Sequence, residues 1–408
     1  MNTFLRRFLH PRRNRGQMLI TFVFFLIVLI LFVGLGIDVG FAYITKANLS
    51  KAVDAAALVG VRNLMDQQVQ TIVQSAFAMN YGRPGRDTGT VVPTVTIVTD
   101  TTTNTRRLQV SATATINTFF IRVLPTWRTV TVRANAETQR GRAILGLVLD
   151  RSGSMSDNGG WQGLPPGVDT FIDLFDDTID RAALVTYATT VRTDLAMTQP
   201  FKAQVKSRVP RLRSQYEGAT FSHGGIEAGY AQVVAAPVLT GENVTRAIVF
   251  FTDGRANMIK ETVNCPPTRE LMFGGSDSGN SYWVMPSNSD STTLCQASGV
   301  PSCCGGFTRF TSVNGGTLTP TATNIREEGR DRAIAVAKTA QAGGIFVYSI
   351  GYGNNVDLNF LREIANDPAS PTFDSDLPSG KALQAGTPQA IRDAFQIIAA
   401  AVLERLTQ

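Results

Sequence analysis

The residues best suited to chemistry are oxygen donors in three separate segments. Asp150-Arg151-Ser152-Gly153-Ser154 sets one carboxylate and two hydroxyls at alternate positions. Alternate residues of an extended segment point the same way, so these oxygens can converge on one point. Thr220 ends Glu217-Gly218-Ala219-Thr220, and Asp253 sits in Thr252-Asp253-Gly254. Hard oxygen ligands with few carboxylates suit a divalent ion such as Mg²⁺, with Mn²⁺ or Ca²⁺ as alternatives. Such an ion keeps waters and leaves room for an outside ligand. Ser-Gly-rich turns are common, so the Asp-x-Ser-x-Ser turn alone also reads as a satisfied turn. Thr220 and the Thr-Asp-Gly segment together favour the metal reading.

Other chemistries find less support. The only histidines are His10 and His223, and His10 lies in a basic leader, so a histidine triad or metal site would rest on His223. His223 follows Thr220 closely enough either to touch the site or to pack the next helix. Trp161 and Gly159-Gly160 either border the pocket or serve as turn residues. No Gly-x-x-x-x-Gly-Lys-Ser/Thr run occurs, which argues against a P-loop ATPase. Ser379-Gly380-Lys381 lacks the leading glycine and the following hydroxyl and reads as a loop. The net charge of +6 owes much to Arg6, Arg7, Arg12, Arg13 and Arg15. No basic stripe interleaved with aromatics follows, so the charge does not point to nucleic acid.

The site needs a scaffold, and the flanking sequence supplies one. Ala143 to Leu149 is a short continuous apolar run that reads as a strand buried on both faces. Arg246–Asp253 repeats the pattern. Between and beyond them strand and helix alternate. A helix is expected from Gly167–Phe175, strands at Ala182–Tyr187 and Asp194–Met197 as a hairpin, and helices at Phe201–Leu212 and Ser222–Ala235. Arg326–Ala342, Ile345–Gly351 and Leu358–Asn366 continue the alternation. Thr387-Pro388 then opens a final helix with Thr as cap and Pro in the first turn. This pattern predicts an α/β domain with a doubly wound, mostly parallel sheet, whose carboxyl edge binds ligands. Residues 258–325 interrupt it with a Gly-, Ser-, Thr-, Asn- and Pro-rich insertion beside the site. The insertion carries Cys265, Cys295, Cys303 and Cys304. In an exported domain an even count suggests two disulfides, with the pairing open. A four-thiolate zinc site is the rival, but no Cys-x-x-Cys pair exists.

With these segments in place, residues 141–408 resemble the von Willebrand factor A family. Asp150, Ser152, Ser154, Thr220 and Asp253 match that family's metal-ion-dependent adhesion site. The resemblance implies that the serines and Thr220 bind the metal directly or through water. It implies that the two aspartates act largely through hydrogen bonds and waters. It also implies a vacant coordination position that accepts a partner's carboxylate.

The first third of the chain is different. Met18 to Ile37 is apolar and uncharged, and about 20 such residues cross a bilayer. A signal peptide usually has a shorter core followed by a small-residue cleavage site, so an uncleaved anchor over 18–40 is favoured. The arginines of residues 1–17 predict a cytoplasmic N-terminus and place everything beyond Asp38 outside the cytoplasm, in the periplasm or at the cell surface. Residues 41–85 read as an Ala-rich helix ended by Gly82-Arg83-Pro84-Gly85. Residues 86–140 alternate β-branched and polar residues at 94–98, 108–116 and 129–134 and read as a small β layer.

Arg15-Gly16-Gln17, the anchor, and Asp54-Ala55-Ala56-Ala57-Leu58 resemble the N-terminus of TadG-type proteins of tight-adherence (Flp) pilus assembly. That family pairs a single anchor with a downstream von Willebrand-type domain. Gly16 also invites comparison with prepilin processing sites, but Thr21 stands where those sites usually carry Glu. The combined expectation is a non-enzymatic, membrane-anchored component that binds a pilus or secretion partner through an acidic side chain. Self-assembly through the N-terminal helix is a further expected contact. A free-standing adhesin for a host or matrix ligand would use the same site. An enzyme activating water on the metal is disfavoured, because no general base stands nearby except the metal-ordering aspartates.

Overall fold

The computed structural model describes residues 15–64, 68–82, 87–100, 105–123, 125–157, 159–215, 218–240, 242–263, 269–276, 281–286, 309–354 and 356–406. The chain forms two compact units, Met1–Val98 with Arg107–Thr138, and Thr99–Arg106 with Gln139–Gln408.

In the first unit, helix α1 (Arg15–Arg62) carries the apolar run and continues without a break into the Ala-rich stretch. Helix α2 (Val69–Asn80) follows, so the expected single helix over 41–85 is two helices. Strands β1 (Thr94–Asp100), β2 (Thr105–Asn117) and β3 (Thr129–Arg140) form a sheet in sequence order. The two parts of α1 behave oppositely. Most apolar side chains between Met18 and Ile37 are exposed, whereas Leu49, Ala52, Val53, Ala56, Ala57 and Val61 are buried. The buried set packs with Val73 and Phe77 of α2 and with Leu108, Val110, Ala112 and Ala114 of β2. The buried residues of β2 recur at every second position, as a sheet with one covered face requires. Ala56 and Ala57 of the Asp-Ala-Ala-Ala-Leu motif are thus the small residues that seat the helix on this core. The helical and β stretches that read as separate regions share one hydrophobic core.

The second unit is the doubly wound domain. Its strands are β4 (Arg142–Asp150), β5 (Arg181–Tyr187), β6 (Val191–Thr198), β7 (Val244–Thr252), β13 (Phe346–Tyr352) and β14 (Ala382–Ala385). They lie in the order β14-β13-β7-β4-β5-β6. All neighbours run parallel except β6, which pairs antiparallel with β5 as the expected hairpin. Every residue of β4 is buried. Leu145, Leu147 and Leu149 face one layer, with Leu164, Val168 and Phe171 of α4 (Gly160–Asp173), Val205 of α5 (Lys202–Arg208), and Phe395 and Ile398 of α9 (Pro388–Arg405). Ile144 and Val148 face the other, with Ile226 and Val233 of α6 (Ser222–Val234), Ala333 and Ala337 of α7 (Ala322–Ala342), and Phe360 of α8 (Leu358–Ala365). Each such fully buried aliphatic side chain contributes about 1.5–3 kcal/mol, which fixes β4 as the central strand. Thr387 Oγ1 accepts from Ala390 N at 3.1 Å, capping α9 as its Thr-Pro start predicts.

Two details depart from the sequence expectations. Helix α4 begins at Gly160, well before Gly167, and holds Pro165 and Pro166. Prolines favour a helix boundary, but this helix presents Leu164, Gly167, Val168 and Phe171 to the core, and tertiary packing overrides the local preference. The 258–325 insertion is not all loop. Strands β8 (Met258–Val263), β9 (Arg269–Gly275) and β10 (Tyr282–Pro286) form an antiparallel sheet, and β11 (Phe310–Thr311) pairs with β12 (Thr317–Leu318). The Gly- and Ser-rich composition masks these short strands. Cys265, Cys295, Cys303 and Cys304, and with them the expected disulfides, lie outside the described residues.

Candidate metal centre

β4 and β7 are adjacent and parallel, so their carboxyl ends deliver Asp150 and the Thr252-Asp253-Gly254 turn side by side. Just beyond β4, Ser154 opens the short helix α3 (Ser154–Asp157), and the chain turn places Ser152 and Ser154 together. Their hydroxyl oxygens are 3.1 Å apart. Ser154 Oγ also donates to Asp253 Oδ1 at 2.7 Å. Asp150 Oδ1 accepts from its neighbour's main chain, Ser152 N, at 2.7 Å, and Oδ2 accepts from Thr252 Oγ1 at 2.7 Å. Thr220 Oγ1 and Ser154 Oγ lie 3.5 and 3.6 Å from the position a Cβ on Gly254 would take, which brings both hydroxyls to the Gly254 turn.

The Thr220 loop is held from two sides. Thr189 Oγ1 accepts from Ala219 N at 3.0 Å, and Gly218 sits over Thr189 with φ +79°, a left-handed conformation that favours glycine. On the other side Asn257 Oδ1 accepts from Thr220 N at 2.7 Å, and Asn257 N donates to Thr220 O at 3.2 Å. Ala219 and Phe221, the neighbours of Thr220, pack with Met258, Met272 and Met285 of the insertion sheet. The insertion therefore stands against the Thr220 loop, beside the site as its sequence position anticipated.

Asp150, Ser152, Thr220 and Asp253 are each no more than 3% exposed, and Ser154 is half-buried. Burial pushes the Asp150 carboxyl above its usual range, while hydrogen bonds from Ser152, Thr252 and the Asp253 main chain oppose that shift. Burial also raises the neighbouring Tyr187 hydroxyl, with the Asp150 charge adding to it; Tyr187 donates to Phe251 O at 2.9 Å.

This donor set suits a small hard cation. Octahedral coordination at about 2.0–2.1 Å sets neighbouring oxygens about 3 Å apart. The Ser152–Ser154 and Ser154–Asp253 separations of 3.1 and 2.7 Å match that edge. Among the described residues no group of three or more His, Cys, Asp or Glu side chains could hold a metal. The donors Asp150, Ser152, Ser154, Thr220 and Asp253 are all oxygen, which suits a hard cation and not a soft one.

The remaining candidates fall elsewhere. His223 is buried in the first turn of α6, edge-on to Phe221 at 4.4 Å between ring centroids. Burial, with Arg332 and Lys260 adding repulsion, drops its pKa to about 3. It packs the helix and stays neutral. Trp161 opens α4, and the Arg213 guanidinium lies 3.7 Å from its ring centroid, a cation–π contact. Gly380 lies in a loop ahead of β14. Sequence reasoning missed Thr252, Asn257 and Thr189. Thr252 was legible in the Thr-Asp-Gly turn, whereas Asn257 and Thr189 act only through the fold.

Residues 16–63 match the Flp pilus-assembly TadE/G-like family, and residues 145–270 match the von Willebrand factor type A domain. The chain thus carries a TadE/G-like segment at its N-terminus and a von Willebrand factor type A domain after it. No curated protein matches it. Several solved structures are similar. The pilus adhesin SpaC from Lactobacillus rhamnosus GG is 14% identical over 80% of this chain, with a TM-score of 0.43, and the chain spans only 36% of SpaC. The PilB minor pilin from Streptococcus sanguinis is 14% identical, covering 78% of this chain and 79% of that one, with a TM-score of 0.41. Proximal thread matrix protein 1 from the mussel byssus, with a zinc-occupied MIDAS motif, is 14% identical over 64% of this chain and 46% of that one, with a TM-score of 0.35. Likenesses this distant add nothing to the two family matches.

Proposed function

We propose that the protein is a membrane-anchored, non-enzymatic component of tight-adherence (Flp) pilus assembly or adhesion. In this reading Asp150, Ser152, Ser154, Thr220 and Asp253 hold a divalent ion, Mg²⁺ first and Mn²⁺ or Ca²⁺ second, that catches a carboxylate of a protein partner. The observation that carries it is the run of oxygens from Ser152 through Ser154 to Asp253, spaced at 3.1 and 2.7 Å at the carboxyl edge of the sheet. When bound, the ion supplies a Lewis-acid contact for an anionic ligand. The pilus-assembly family match at residues 16–63 supports the setting.

Three further features support the reading. Met18–Arg62 contains the one stretch among the described residues long and apolar enough to cross a membrane. The arginines ahead of it favour a cytoplasmic N-terminus, with the metal domain on the other side. Beyond Asp253, a cleft of about 570 Å³ is lined by Arg255, Arg326, Arg330 and Arg362 against the carboxylates of Glu327 and Asp357. Arg330 is paired with Asp331, Asp357 and Glu363, so the attraction this cleft offers an acidic partner rests on Arg255, Arg326 and Arg362. Catalysis is not part of this reading, because both oxygens of Asp150 already accept hydrogen bonds and His223 is buried against Phe221.

The test is partner capture from envelope extracts by the detergent-solubilised full chain. Capture should disappear with EDTA, return with added Mg²⁺, and be absent for Asp150→Ala. Capture that ignores EDTA and survives Asp150→Ala would overturn the metal bridge.

A further inference from the structure

The connection between β2 and β3 is unusual for a turn. Exposed turn tips are normally polar. This one carries Phe119, Val123 and Trp127 at 61, 76 and 53% exposure, with Phe120 partly covered. It is not loose. Thr118 Oγ1 donates to Trp127 O at 2.6 Å, and Thr118 N donates to Arg128 O at 3.1 Å, which closes its base.

Its tip is fastened to α1. Asp38, the first charged residue after the apolar run, is only 4% exposed. Its carboxylate accepts from Phe119 N at 2.8 Å, Phe120 N at 2.8 Å and Ile121 N at 2.9 Å. Three main-chain donors on one carboxylate are charge-assisted and hold the tip in one orientation. One turn further back, a Cβ on Gly34 would lie 2.5 Å from Phe120 Cβ and Cγ, so only glycine admits the loop this close. Leu31, Leu35, Phe120, Ile121, Val123 and Trp127 line an apolar cavity of about 370 Å³.

These contacts fix a depth. At about 1.5 Å per residue, Gly34 and Leu31 lie roughly 6 and 10 Å along α1 from Asp38, into the apolar run. If α1 crosses a bilayer, the loop reaches the same levels. Interfacial apolar groups sit about 5–10 Å into the headgroup–acyl boundary. Tryptophan favours that boundary, and arginines flanking it reach the headgroups. Arg122 and Arg128 are both exposed beside Val123 and Trp127.

We propose that residues 118–123 and 125–128 form a second membrane contact, a wedge seated in the bilayer face from which α1 emerges, clasped to the anchor by Asp38. Phe119, Val123 and Trp127 lie among lipid acyl chains, an acyl tail fills the cavity, and Arg122 and Arg128 meet the lipid phosphates. The occupant is lipid because the cavity that joins the wedge to α1 is lined by apolar side chains of both, Leu31 and Leu35 on one side and Phe120, Ile121, Val123 and Trp127 on the other. The proposal rests on the reading of α1 as a membrane anchor.

The test uses the full chain reconstituted into phosphatidylcholine vesicles brominated at defined acyl positions. Tryptophan quenching is compared between the natural chain and Trp127→Phe, which leaves Trp161 and Trp283. The quenched fraction should fall at least twofold in Trp127→Phe, with the strongest quenching from bromines near the headgroup. Asp38→Ala should reduce the quenching of Trp127, because three donors lose their acceptor. Equal quenching in the natural chain and Trp127→Phe overturns the wedge. So does quenching of Trp127 that vanishes as the protein-to-lipid ratio rises, the mark of a protein neighbour in place of lipid. Phe25→Trp in the Trp127→Phe background reports on the anchor separately. Deep quenching there without quenching of Trp127 overturns the wedge alone; no quenching at either site overturns the anchor reading as well.

Discussion

Asn257 holds Thr220 by both ends of its peptide unit. Its side-chain oxygen accepts from Thr220 N at 2.7 Å, and its own main-chain N–H donates to Thr220 O at 3.2 Å. Asn257 stands one residue before β8, so the insertion begins by gripping the loop that carries a proposed ligand. Residues that orient metal ligands in this way typically affect affinity about 10–100-fold. Asn257→Ala should therefore weaken Mg²⁺ binding by about that factor, read by calorimetry on the folded protein. Unchanged affinity would mean that the Thr220 loop needs no such support.

The fold contains a second, purely structural carboxylate. Asp180 accepts from Arg140 Nη1 at 3.1 Å and Nη2 at 2.6 Å, from Ala143 N at 2.7 Å and from Asp176 N at 2.6 Å. Both partners of the ion pair are fully buried. Removing one member of such a pair leaves an uncompensated buried charge and costs about 3–5 kcal/mol. Asp180→Ala should lose that much in urea unfolding monitored by circular dichroism. A loss below about 1 kcal/mol would show that Arg140 finds another partner.

His223 makes stability depend on pH. Its folded pKa of about 3 lies below the unfolded value of 6.5. The unfolded chain therefore binds the extra proton between those values, and stability rises with pH across that window. The contribution is fully present above pH 6.5 and is lost as pH falls toward 3, at a limit of about 1.4 kcal/mol per pH unit. His223→Gln should flatten the melting temperature profile between about pH 6.5 and 4 relative to the natural protein. Parallel profiles would place the acid sensitivity elsewhere.

The arginine-lined cleft beyond Asp253 should act on encounter rate. Rim charges chiefly change association rate and its salt dependence. Arg255→Glu should slow association of an acidic partner and flatten its response to ionic strength, measured by surface plasmon resonance, with Mg²⁺ affinity unchanged. An unaltered association rate would separate the cleft from the binding face.

Much of this was legible in the sequence, for physical reasons. The apolar runs at 143–149 and 247–251 are short, bounded by polar residues and too brief for a helix, so they read as strands covered on both faces. Parallel neighbours of that kind bring the residues at their carboxyl ends to one edge of the sheet. That is why Asp150 and Asp253 were readable as neighbours. The apolar run from Met18 was equally plain. The strands β8 to β10 were not, because each is short, lacks a clean apolar–polar alternation and stands inside an insertion whose Gly- and Ser-rich composition reads as loop. Asn257 and Thr189 were invisible for another reason: each acts through a main-chain contact made only when distant segments meet. Asp38 illustrates the same limit, because its meaning depends on a turn 81 positions later in the chain.

The central claim is that these oxygens bind a divalent ion. Calorimetric titration of the natural chain with Mg²⁺, and of Asp253→Ala and Ser154→Ala alongside it, tests this most directly. The account predicts a single saturable site in the natural chain. It predicts no detectable binding in Asp253→Ala and at least tenfold weaker binding in Ser154→Ala, with all three proteins folded. Equal Mg²⁺ affinity in all three, or no binding in the natural chain, would contradict it.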